Sequence, residues 1–239
     1  MSKVFAIIPA RSGSKGVKDK NIKKLHGHSL LEWSINAAKR SNLIDRVFIS
    51  TDSIEYAKIG KKYGAEVPFL RPDSISGDAA SDLDFVIHAI EEFHTLGLDP
   101  DYIAHIRPTT PLRDPSVINN AISMFQSNPQ FNSLRSVHKM PESSYKTLEI
   151  RNGSLTPLAL FGDVEIDSNA PRQSFPDTYQ ANGYVDILDV NFIMENQEIH
   201  GKRILPFITE TAYEVDTLDD FDYLEYLALK SQKLIKKLF

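Results

Sequence analysis

Between Lys3 and Val137 short β-branched runs alternate with segments of helical period, and this alternation limits the chain to a mostly parallel sheet wrapped by helices. The run "KVFAII" is apolar throughout and stops at Pro9, as a strand buried on both faces does. From Leu30, "LLEWSINAAKRSN" sets Leu31, Ile35 and Ala38 at helical spacing. "RVFIST" predicts a second strand, "SIEYAKIGKKYG" a helix closed by Gly64, and "EVPFLRP" a short third strand. Ser81 is the N-cap of "DLDFVIHAIEEF", whose Leu83, Val86, Ile87, Ile90 and Phe93 share one face. "DYIAHI" gives a fourth strand, "SVINNAISMF" a helix after "RPTTPLRDP", and "FNSLRSV" a fifth strand.

The pattern changes after Pro141. "YKTLEIRNGSLTPL" holds Asn152-Gly153 between two strand-like runs, a hairpin signal, and residues 161–177 are irregular. "YQANGYVDILDV" then returns to strand alternation, so residues 141–190 predict an antiparallel insertion, a lid or an arm toward a second subunit. "RILPFI" predicts another buried strand. "TLDDFDYLEYLALKSQKLIKKLF" predicts one closing helix, with Thr217 as N-cap and late lysines at the negative end of its dipole. No repeat or flexible linker interrupts the sequence, and a single domain over residues 1–239 is expected.

The net charge of −5 argues against nucleic acid or an anionic membrane as partner. The absence of cysteine excludes disulfides, thiolate metal ligands and a thiol nucleophile. No apolar run reaches the roughly 18 residues of a membrane helix, and no signal-peptide pattern precedes Val4; a cytoplasmic protein is expected.

Against this acidic background, "IIPARSGSKGVKDKN" gathers Arg11, Lys15, Lys18 and Lys20 around the lone acid Asp19. The loop leaves the first strand at its carboxyl end, where open α/β sheets bind ligands. Gly13 and Gly16 allow tight turns and close approach, and the serines offer hydroxyl donors. Cations this close repel one another unless an anion or water screens them, and a polyphosphate is the best-fitting anion. The spacing Gly13-Ser-Lys-Gly16 does not fit a Walker loop, and the three-glycine dinucleotide fingerprint is absent. On composition alone, a solvated lysine-rich loop stands beside the phosphate reading.

That loop resembles the nucleotide-binding signature of the cytidylyltransferases that make CMP-activated acidic sugars, the CMP-sialic acid synthetase (acylneuraminate cytidylyltransferase) family. The resemblance continues in order through "VFISTDSIEYAKIGKKYGAEVPFLRP", "RPTTPLRDP", "SYKTL", "APRQ", "ANG" and "EVDT". It implies a Rossmann-like sheet of the nucleotide-diphospho-sugar transferase type, an arm pairing two subunits into a homodimer, and a reaction of CTP with an acidic α-keto sugar. By the same resemblance Arg11 and Lys20 hold the triphosphate and act in catalysis, Lys15 supports the phosphates with Ser12 and Gly13, and Asn21 lies near the nucleotide. Arg71 sits by the cytidine, and "DAASD" around Ser81 forms part of the base pocket.

Such a reaction takes a hard dication, Mg²⁺, on one or two carboxylates, its other ligands coming from phosphate and water. Glu214 and Asp216 alternate by two and share a side if extended, although Thr217 and its neighbours can also be read as a helix cap. The family carries D-x-D at this point and the present sequence has E-x-D, so Asp216 is the firmer ligand. On the sugar side the resemblance points to Lys146 and Arg172, since a sugar carboxylate calls for a cationic partner. Arg107 stands where the sialic acid pattern has Gln, and Gln180 in the region where it has Arg. These exchanges suggest a different nonulosonic acid, such as a legionaminic or pseudaminic acid, or a Kdo relative, with neutral drift as the alternative reading. A nucleotidyltransferase acting on a sugar 1-phosphate and a non-catalytic nucleotide-binding regulator are the alternatives. The pair His26 and His28 lacks a third metal ligand, His88 reads as packing, His105 as a group entering the cleft, and Trp33 as core.

Overall fold

The computed structural model describes every residue except Met1, Lys15, Ala159, Gly162, Asp163 and Ile166. A six-stranded sheet forms the centre: β1 (Val4–Pro9), β2 (Arg46–Ser50), β3 (Tyr102–His105), β4 (Ser133–Lys139), β7 (Tyr179–Asp189) and β8 (Ile204–Ile208). Their spatial order is β8-β4-β7-β3-β1-β2. β1 pairs in parallel with both β2 and β3, and β8 in parallel with β4. β7 runs antiparallel between β3 and β4. The hairpin strands β5 (Leu148–Arg151) and β6 (Ser154–Pro157) stand outside this sheet.

Helices α1 (Leu30–Lys39), α2 (Ile54–Lys62), α4 (Pro115–Gln126), α6 (Leu218–Lys230) and α7 (Gln232–Leu238) contribute to the core on one face, where Trp33 is fully buried and donates its indole N–H to the Leu25 carbonyl at 3.0 Å. α3 (Asp82–Thr95) and α5 (Val190–Asn196) cover the other, on a smaller cluster of Phe5, Phe48, Phe85 and Phe93. Each fully buried side chain of this size contributes about 1.5–3 kcal/mol. The termini follow the cap chemistry: Ser81 and Thr217 form capping boxes with Asp84 and Asp220, and Ser53 caps α2.

Several expectations are corrected. "EVPFLRP" makes only an isolated bridge, Phe48 to Glu66, because Pro68 and Pro72 deny the segment ladder donors. α3 buries Phe85 and Ala89 more deeply than Leu83 and Ile87, a small rotation of its apolar face. β8 is an edge strand with Ile204 and Ile208 exposed. The closing helix breaks at Ser231 into α6 and α7. The largest correction concerns residues 141–190. The hairpin forms as expected, with Asn152 and Gly153 both at positive φ. Residues 179–189, however, belong to the central sheet as β7, with a register shift between Ala181 and Asp186. Their alternation is that of a strand completing the core, and the excursion therefore ends before Tyr179.

Candidate active site

β1 and β3 are neighbours, and the strands that follow them, β2 and β4, lie in opposite directions along the sheet; such a reversal of strand order opens a crevice beyond the carboxyl ends. A cavity of about 590 Å³ lies there, lined among others by Arg11, Lys20, Arg71, Ser81, Arg107 and Asp216. A second cavity, of about 700 Å³, opens against α4, α6 and the end of β8, but no lysine or arginine lines it. Of these two, the first suits a polyphosphate.

The loop after β1 is tied at three points. The Ser12 backbone N–H donates to Asp52 Oδ1 at 2.7 Å and its hydroxyl to Oδ2. Asn21, buried, donates to the Arg11 carbonyl at 3.1 Å, closing the loop on itself. Lys20 Nζ donates to the Val215 carbonyl at 2.7 Å and to Asp216 Oδ1 at 3.1 Å. Gly16 is required where the loop meets the 214–216 segment: a Cβ there would come within 2.4 Å of the Asp216 carbonyl oxygen. Arg11 Nη2 meets Asp78 Oδ1 at 2.7 Å across the cavity mouth.

The inner wall is built differently. Arg71, buried, donates to the Ser50 hydroxyl at 3.0 Å and carbonyl at 2.8 Å, and its guanidinium carbon lies 4.6 Å from the Phe85 ring centre. Burial brings its pKa down to about 10, opposed by Asp52 and Asp82. Arg107 Nη1 donates to Asp186 at 2.9 Å and Nη2 to Asp82 at 2.6 Å. Burial works to lower its pKa, but the two carboxylates outweigh it and hold the guanidinium charged. Arg113 is wholly buried and donates to the carbonyls of Arg107, Gly183 and Tyr184, stitching the loop after β3 to β7.

Of the residues singled out in the sequence, Arg11, Lys20, Asn21, Arg71, Ser81, Arg107 and Asp216 therefore meet around one cavity. Ser12 spends its hydroxyl on Asp52, and it is Ser14 that lines the cavity. Gly13 sits on the exposed side of the loop, Lys18 is exposed and outside the lining, and Lys15 lies outside the described residues. Lys146, Arg172 and Gln180 are not in the lining either: Arg172 borders a small dent with Met140 and Phe175, and Gln180 is exposed opposite His138. His105 is fully buried, edge-on to Phe85 at 5.3 Å, and burial drives its pKa well below the ordinary value. It packs and does not enter the cleft.

The E-x-D pair divides. Asp216 lines the cavity beside Lys20, whereas Glu214 reaches the Thr110 hydroxyl at 3.4 Å and packs where a Cβ on Gly183 would stand. No group of three or more His, Asp or Glu that could hold a metal occurs among the described residues. One accessible carboxylate in a cavity lined by Arg11 and Lys20 still fits a cation that takes its remaining ligands from a bound phosphate and water. The residues missed in the sequence are Arg113 and Asp186; Asp78 and Asp82 are the two ends of the "DAASD" segment expected at the base pocket, and Asp52, in "ISTD", ends a strand beside the cleft with no role assigned from sequence.

Residues 5–154 match the family described as cytidylyltransferase. The flagellin modification protein described as "Post-translational flagellin modification protein B", from Campylobacter coli, is 32% identical over 244 residues, spanning 100% of both chains. A CMP-N,N'-diacetyllegionaminic acid synthase of Campylobacter jejuni is 30% identical, over 95% of each chain. In fold the protein is similar to CMP:2-keto-3-deoxy-manno-octonic acid synthetase solved in complex with CTP, with a TM-score of 0.72 at 12% identity, covering 96% of the present sequence and 99% of that one.

Proposed function

The chain belongs to the cytidylyltransferase family, and from this premise we propose that it joins CTP to an acidic α-keto sugar of the nonulosonic type, releasing pyrophosphate. The observation that carries the reading is the convergence of Arg11 and Lys20 from the loop after β1 with Arg71 and Ser81 on one cavity of about 590 Å³. In the reaction the anomeric hydroxyl of the sugar attacks the α-phosphorus, the bond from that phosphorus to the β-phosphate oxygen breaks, and pyrophosphate leaves. Charge builds on the leaving group, so fixed cations and positioning do most of the work. Arg11 and Lys20 supply that charge, and Asn21 keeps the loop closed around it. Arg71 and Ser81 face the nucleoside end. Asp216 would hold Mg²⁺, which when bound supplies charge neutralisation to the phosphates.

The sugar-side residues Lys146, Arg172 and Gln180 belong to a homodimer in this reading. The arm exposes Ile150 by 75% and Leu155 by 67%, apolar surface suited to a second copy, and the edge strand β8 also exposes Ile204 and Ile208. Light scattering at micromolar concentration tests this, and a monomer would count against it. A CTP-consuming reaction of this kind belongs in the cytoplasm; no helix among the described residues is long and apolar enough to cross a membrane.

The deciding experiment is pyrophosphate release with CTP and Mg²⁺ across sialic, legionaminic and pseudaminic acids, Kdo and several sugar 1-phosphates. Turnover with one keto acid supports the proposal and names the sugar. Turnover with a sugar 1-phosphate alone, or with nothing while CTP still binds, would overturn it.

A further inference from the structure

Asp186 has no part in the reaction as described. It stands on β7 in register with His105 of β3 on one side and Arg135 of β4 on the other, and it is only 1% exposed. A carboxylate at that depth needs a partner, and it has one in Arg107 Nη1 at 2.9 Å. Its other oxygen, Oδ1, has no hydrogen-bond partner among the described residues. The second terminal nitrogen of Arg107 is taken by Asp82, the first residue of α3, whose side chain is 43% exposed on the cavity wall. One cation thus stands between two anions. A third carboxylate brought to Arg107 meets two acids already in place, and Asp186 has no solvent into which to retreat. A hydroxyl or an amide N–H is received differently, because the half-exposed Asp82 accepts it while Arg107 holds that carboxylate still.

Granting synthesis of a CMP-sugar, we propose that Asp186 is a positioning residue for sugar recognition. It fixes Arg107, and through Arg107 it fixes Asp82, so that the inner wall reads a hydrogen-bond-donating substituent of the sugar and not its carboxylate. The carboxylate is then left to cations elsewhere in the site.

The test compares wild type, D186N, R107Q and the double variant R107Q/D186N in steady-state pyrophosphate release. Two acidic keto sugars are used, alike in the carboxylate and differing in one hydroxyl or N-acylamino substituent. D186N is expected to raise the sugar KM about tenfold while the CTP KM stays within about twofold. In the double variant no buried charge is stranded, and the sugar KM returns to within about threefold of wild type, yet the ratio of kcat/KM between the two sugars collapses toward one. If Arg107 binds the carboxylate, R107Q and the double variant lose both sugars alike, by roughly a hundredfold, with their ratio unchanged, and the proposal fails. Equal rises in both KM values would reduce Asp186 to a structural residue. Should D186N not fold by circular dichroism, R107Q and the double variant carry the same comparison. A wild type silent with both sugars would sink the functional reading and this inference together; an active wild type whose sugar ratio survives in the variants would sink the inference alone.

Discussion

At the mouth of the cleft Arg11 and Lys20 are each met by one carboxylate on an irregular segment, Asp78 and Asp216, with side chains 43% and 75% exposed. Along the inner wall Arg71, Arg107 and Arg113 are held by strand-end and loop carbonyls and by an aspartate on a central strand. Exposed pairs of the first kind are worth only about 0.2–1 kcal/mol, whereas breaking a buried pair of the second kind costs about 3–5 kcal/mol. A triphosphate can therefore displace Asp78 and Asp216 at little cost, but nothing small displaces Asp186. The same residue type serves as an exchangeable contact at one end and as framework at the other, and burial of the partner acid decides which.

The sharpest way to break this comparison is to remove one cation from each end. Lys20→Ala or Arg11→Ala is expected to lower kcat by roughly 10²–10³, about 3–4 kcal/mol of transition-state stabilisation, with little change in urea midpoint. Near-normal turnover at saturating substrate would end the assignment of the mouth as a phosphate cradle. Arg113→Met should do the reverse in kind: it strands buried carbonyls, and urea unfolding should report a loss of about 3 kcal/mol. An unchanged midpoint would show that the wall is not framework.

Acid offers a finer probe. Burial lowers the pKa of His105, His88 and His200 in the folded protein, His105 most strongly. These groups resist protonation when folded, His105 most of all, but take up protons in the unfolded state below about pH 6.5. The unfolded state then binds more protons, so stability is full above that pH and falls as pH drops, by up to about 1.4 kcal/mol per pH unit for each such histidine. His105→Leu should flatten the acid limb of a plot of stability against pH, and an unaltered slope would refute its burial as a neutral ring. The smallest effect belongs to the mouth. Asp78→Asn removes the carboxylate that Arg11 would exchange for phosphate under the proposed function, and calorimetry should find CTP bound a few-fold more tightly, in line with an exposed pair of about 0.2–1 kcal/mol. Weaker binding would mean that Asp78 helps hold the nucleotide.

The mouth is partly legible in the sequence, because cations crowded within one loop of an acidic protein draw attention to it, and of these Arg11 and Lys20 line the cavity while Lys18 does not. The wall is not. Arg107 stands out, but its partners Asp82 and Asp186 lie 25 and 79 positions away, and nothing local marks an aspartate in "YVDIL" as buried beneath a guanidinium. Strands and helices up to Lys139 follow from local period, except where prolines spoil "EVPFLRP". β7 escapes such a reading because alternation reveals a strand's faces and not its neighbours, and its two partners both precede the excursion.

The position of β7 also bears on how the molecule comes into being. When the first 139 residues have left the ribosome, β3 and β4 are both complete, yet the slot between them is vacant and each presents an open edge. The strand that fills it is made only after the whole excursion. Closing so long a loop delays the pairing and raises the contact order of the sheet. For the time that synthesis of some 50 further residues takes, at about 5–20 residues per second, the nascent polypeptide carries two strands with open edges, β3 paired only to β1. That interval, more than the finished protein, is where a chaperone would find its work.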